Sequence, residues 1–170
     1  MKLKKHQDLY RINLNAVKDN GDGVIEFTKP LTITDDSEQR NGTKYDIKTM
    51  DISEYDGVLT INHSSDVQDI VGNTYGITKV ANRRITIDGI KFAVKENANA
   101  IFLYNMILGG FVKDFSIETI GPYPGNDGIY YNAKLIGLSA VVKGNNKSAT
   151  LSKVVKNSID EAEKIGLDTN

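Results

Sequence analysis

Residues 96–119, ENANAIFLYNMILGGFVKDFSIET, decide how the chain is read. After the polar start Glu96-Asn97, the residues Ala98, Ile101, Phe102, Asn105, Met106 and Leu108 follow mostly helical spacing, and Gly109 or Gly110 supplies a left-handed stop. A strand follows. Phe111, Lys113, Phe115, Ile117 and Thr119 alternate with Val112, Asp114, Ser116 and Glu118, so Ser116 shares a strand face with Asp114 and Glu118.

Working outward, 170 residues with 39% hydrophobic and 25% charged suit one domain spanning 1–170, and 15 Gly with 8 Tyr favour a β-rich one. A net charge of -1 leaves no basic footprint for nucleic acid, since the only basic cluster is Lys2, Lys4 and Lys5. The absence of cysteine removes disulfides and thiolate chemistry, and two histidines, His6 and His63, make a histidine-rich metal site implausible. No metal and no cofactor are expected. The longest apolar run, residues 98–111, falls short of the roughly 20 residues of a membrane helix, and no signal peptide is recognised, so a cytoplasmic protein without a membrane partner is expected.

Strand period appears over residues 9–16, where Tyr10, Ile12, Leu14 and Ala16 share a face, and a hairpin through 19–23 leads into Val24-Ile25-Glu26-Phe27. That turn also resembles half a calcium loop. With Gly23 at the required glycine, Lys18 and Lys29 stand where the first and last carboxylates belong, so the cation cage fails. Further strands are expected over 31–34, 58–62, 70–72, 75–80, 129–131 and 135–142. Residues 83–94 form two strands or one bent strand. A long exposed loop is expected over 35–46, and a terminal amphipathic helix over 149–165 carries Leu151, Val154, Val155, Ile159, Ala162 and Ile165.

Four blocks stand in a telling order: Leu59-Thr60-Ile61-Asn62-His63, Val71-Gly72, Gly110 through Ser116-Ile117, and Leu138 through Ala149. Together they resemble the phage prohead proteases, whose His-before-Ser arrangement is shared with the herpesvirus assemblins. The resemblance implies a mainly antiparallel β-barrel with flanking helices. It also implies a serine protease of capsid maturation that acts in the host cytoplasm within the procapsid, cleaving scaffold, capsid-protein extensions and itself. Scaffold and major capsid protein are the implied partners, and homo-oligomerisation is left open. Relatives commonly lose a C-terminal extension, so Asn170 is expected to end a truncated or processed form. Three departures stand out: Ser64 replaces an acid after the histidine, Glu118 a glycine after Ser-Ile, and Lys143-Gly144-Asn145 a common Pro-Ala-Asn.

Under this resemblance Ser116 is the nucleophile and His63 its base, because a serine hydroxyl is weak until a neighbour takes its proton and imidazole can return it near neutral pH. The third member should hold the ring's tautomer. Many relatives carry an acid at the position of Gly137, which closes that option here. A His…Asp…Ser order assigns Asp88, with Glu118 as the alternative; Asp114, Asp66 and Asp69 are poorer choices. Ile87-Asp88-Gly89-Ile90 also reads as a type I′ turn. The resemblance assigns the oxyanion donors to Gly144 and Asn145, although the simpler reading of this stretch is an ordinary glycine turn. Two other readings compete: a noncatalytic phage assembly or scaffold-like protein with the same barrel, and a plain β-rich interaction domain with Ser116 and His63 far apart.

Overall fold

The strand that organises the sheet is β7 (Arg84–Phe92), whose Ile85, Ile87, Ile90 and Phe92 are all buried. In this computed structural model, which describes residues 18–19, 22–121 and 123–151, β7 pairs on one edge with β2 (Val24–Asp35). Its other edge pairs with β5 (Ile70–Tyr75) and, further along, β6 (Thr78–Val80). Pairing on both edges places this strand inside the sheet rather than at its border. Beyond β5 the sheet continues through β4 (Val58–Ile61), β10 (Lys134–Val141) and β8 (Asp114–Ile120), while β1 (Lys18–Asp19) borders β2. Among the described residues every pairing in this sheet is antiparallel except β4 with β10. The protein is mainly β, and its sheet curls into an open half-barrel in which β2 packs against β8 without pairing to it.

Among the described residues one α-helix, α1 (Ala98–Leu108), lies against β5 and β7. The Asn97 side chain accepts from the Asn99 N–H to cap it, and Gly110 at φ 80° ends it. Its buried residues are Ala100, Leu103 and Ile107, whereas Ile101 and Phe102 are exposed. The residues that mark the helical spacing are therefore not the ones the helix buries. The helix is apolar nearly all round, so spacing alone does not choose its inner side. Burial of Leu103 and Ile107 contributes roughly 1.5–3 kcal/mol each, and Leu103→Ala would cost about 2–5 kcal/mol.

Several other expectations change. Residues 24–27 and 31–34 belong to one strand, β2; its pairing shifts register between Glu26 and Leu31, and Pro30, which has no N–H to donate, sits within that irregularity. The 35–46 loop is tied down: it contains β3 (Lys44–Tyr45), which pairs in parallel with β9 (Ile129–Tyr130), and the Tyr45 and Tyr130 rings stack at 5.0 Å. Ala149 and Leu151, at the expected start of the terminal helix, are extended instead, bonding to Phe115 and Lys113 at the head of β8. The strand expected over 9–16 and the rest of that helix lie outside the described residues. Among the described residues no helix is long and apolar enough to cross a membrane.

Candidate active site

At the end of β4 the backbone turns left-handed twice in succession, at Asn62 (φ 52°) and His63 (φ 56°). Such a conformation costs an L residue roughly 1–2 kcal/mol, least for asparagine, so hydrogen bonds must hold it. They come from β10 and from the turn itself. The Asn62 N–H donates to the Ala140 carbonyl at 3.0 Å, the His63 N–H to the Ser139 hydroxyl at 2.8 Å, and the Ser64 N–H to the Ile61 carbonyl at 3.0 Å. Next in the chain, Asn97 and Asn99 at the head of α1 donate to the carbonyls of Gln68 and Ile70, fixing the connection from His63 to β5.

Register then assembles the site. Ser139 on β10 lies opposite Ser116 on β8 and opposite Thr60 on β4, so three hydroxyl residues form a row across three strands on one sheet face. The Thr60 and Ser139 hydroxyls are 2.5 Å apart, and Ser139 is fully buried. Two residues along β8, on the same face as Ser116, Glu118 reaches back so that its Oε2 lies 3.4 Å from His63 Nδ1. That separation is an ion-pair contact, long for a hydrogen bond. Both side chains are partly exposed, 35% for His63 and 43% for Glu118, so solvent screens the pair. Among the described residues no hydrogen bond links the Ser116 hydroxyl to the imidazole.

The acids divide by position. Gly137 lies opposite Glu118, and a Cβ added there would come within 2.6 Å of Glu118 Oε1. The Glu118 carboxylate therefore fills the space a side chain at 137 would take. Asp88 is not brought to His63. It is exposed in mid-β7, with β5 between that strand and β4, and its carboxylate covers Gly76. The type I′ turn expected at Asp88-Gly89 is absent as well: β7 runs straight through, and Gly89 is needed because a Cβ there would run into the Tyr75 hydroxyl and lie 2.7 Å from the Ile25 carbonyl. Asp66 precedes and Asp69 ends a 3-10 turn, Val67–Asp69, after His63.

The oxyanion assignment to Gly144 meets a physical objection. The Gly144 N–H already donates to Asp114 Oδ2 at 3.0 Å, and the same carboxylate accepts from the Thr150 hydroxyl at 3.0 Å. Asn145 is similarly engaged with the 35–46 loop: its carbonyl accepts from the Arg40 N–H, its side-chain oxygen from the Asn41 N–H, and its amide donates to Gln39 Oε1. These residues tie a loop to the sheet. Nor is it an ordinary turn, because a Cβ at 144 would run into the Phe115 carbonyl, and glycine serves the close approach.

Sequence reasoning missed Ser139 and Thr60. The available signal was a serine between Leu138 and Ala140 in an apolar strand, a polar group that needs partners once buried. Among the described residues no group of three or more His, Asp or Glu side chains converges as a metal site. What the arrangement offers chemically is an imidazole whose Nδ1 faces a carboxylate, beside a strand bearing a serine. Comparisons with models of known protein families, with curated proteins and with solved structures find no match for this chain.

Proposed function

We propose that the protein is a serine endopeptidase of phage capsid maturation, with Ser116 as nucleophile, His63 as base and Glu118 as the acid that orients it. The observation that carries this reading is the 3.4 Å contact between His63 Nδ1, in the turn after β4, and Glu118 Oε2, on the face of β8 that bears Ser116. With Nδ1 turned to the carboxylate, Nε2 remains to accept the serine proton and return it to the leaving amine. Glu118 thus takes the role the resemblance gave to Asp88. Its substrates on this reading are scaffold and capsid-protein extensions, and the chain itself, within the procapsid.

The chemistry is tested without knowing the cleavage sequence by treating the full chain with a fluorophosphonate. There the Ser116 Oγ–P bond forms as P–F breaks, fluoride leaves and the hydroxyl proton passes to His63. Mass spectrometry should locate the adduct on Ser116 and find it lost in Ser116→Ala and in His63→Ala, and co-expression with the scaffold and capsid proteins should show the matching loss of cleavage. Labelling that ignores both substitutions, with unchanged processing, removes the assignment.

A second reading, a noncatalytic assembly protein on the same half-barrel, is favoured by one specific observation: the Ser116 hydroxyl forms no hydrogen bond with His63. The same experiment separates them, since a noncatalytic protein takes up no phosphonate at Ser116.

A further inference from the structure

We infer that Ser139, backed by Thr60, is a positioning residue that holds His63 beside Glu118 on the Ser116 strand, an inference that rests on the peptidase reading. His63 belongs to no strand. It follows β4 in a backbone conformation that few side-chain-bearing residues adopt, and its own N–H has a single partner, the Ser139 hydroxyl at 2.8 Å. Because that oxygen accepts from His63, its orientation is set by its other neighbour, the Thr60 hydroxyl at 2.5 Å. The three groups therefore form a chain from β4 through β10 to the backbone of the histidine.

Burial gives the chain its force. Ser139 is fully buried, so water cannot substitute for it if its hydroxyl is removed. The same burial rules it out as a nucleophile, since an external carbonyl cannot reach it. Strand β10 acts at two points on one face: Ser139 grips the His63 main chain, and two residues earlier Gly137 leaves the space that the Glu118 carboxylate fills. Register makes these one device, because Ser139 pairs with Ser116 and Gly137 with Glu118.

The test compares Ser139→Ala, Thr60→Val, Thr60→Ser and Glu118→Gln in the full chain, reading the ring ¹⁵N shifts of His63 by NMR and the saturating rate of fluorophosphonate labelling. Ser139→Ala should move the His63 ring shifts toward those of Glu118→Gln and lower the saturating rate on the order of 10-fold or more, because misplacing a reacting group by about 1 Å costs about 10²-fold. The half-saturating concentration should stay unchanged. Thr60→Val should move both readouts in the same direction and Thr60→Ser restore them, a pair that decides the matter if Ser139→Ala does not fold. Ring shifts that stay at wild-type values in Ser139→Ala or Thr60→Val overturn the positioning role, whatever the activity. A wild-type chain that takes up no phosphonate, while the ring shifts still move, removes the peptidase reading and leaves the placement of His63 by Ser139 standing.

Discussion

Asp114 and Glu118 stand four residues apart on the same face of the same strand, and their surroundings give them opposite work. Asp114 is buried, and both its oxygens are occupied by the Gly144 N–H and the Thr150 hydroxyl. Glu118 is partly exposed and faces one ionisable partner, His63. A carboxylate saturated by fixed donors in the interior holds the fold together, whereas one at an open edge facing a single imidazole is free to respond to a change of charge. The difference comes from what covers each end of β8. Residues 144–151 close over the head of the strand; the absent side chain at Gly137 leaves the middle open.

The largest expected contrast lies between the two acids that compete as third member. Glu118→Gln should lower the rate of Ser116 labelling by roughly 10²–10⁴-fold, the scale seen when the orienting acid of a catalytic triad loses its charge. Asp88→Asn, exposed and on a strand separated from β4 by another, should leave that rate unchanged. An equal loss in both variants breaks the comparison.

Stability should reverse the order. Asp114→Ala strands the buried Gly144 amide and removes one partner of the Thr150 hydroxyl, so urea denaturation should report a loss of about 2–4 kcal/mol, while Glu118→Gln should shift stability by no more than about 0.5 kcal/mol. A smaller effect sharpens the role of Gly137. Adding a methyl group there drives into the end of the flexible Glu118 side chain rather than into backbone, so Gly137→Ala should fold normally and slow labelling about 10-fold by displacing the carboxylate. Normal labelling in that variant would show that the vacancy at 137 is not what seats Glu118.

The smallest effect concerns the seam between β2 and the 144–151 segment. Burial pushes the Asp35 carboxyl up, but hydrogen bonds from Ser148, Ser37 and Asn146 outweigh it and leave the group below its ordinary value of 3.8. A depressed carboxylate stabilises the fold at pH values above its unfolded pKa, and that contribution is lost as the pH falls through the folded one. Below pH 3.8, therefore, the native protein should lose stability that Asp35→Asn does not lose, a difference readable by thermal melts across that range.

Much of the site was legible as spacing. The helix, its glycine stop and the alternation that puts Ser116 and Glu118 on one face are local, because 3.6-residue and two-residue periods are properties of the backbone. His63 was visible as the residue after an apolar strand. What could not be read was which acid meets it: Asp88 and Glu118 are both far from His63 along the chain, and the assignment of Asp88 came from chain order. Gly144 misled for a related reason, since a glycine signals close approach without saying whether a substrate or the Phe115 carbonyl comes close.

By itself, then, the sequence determined a β-rich chain with one apolar helix, no cysteine chemistry, a histidine just after one strand and a serine within another. Only the tertiary structure decided that β4 and β10 run parallel, that Ser139 lies between Thr60 and Ser116, and that Glu118 rather than Asp88 reaches the imidazole. The physical reason is that side-chain direction follows from neighbours along the chain, whereas register between strands depends on how the whole sheet curls and which residues it must bury.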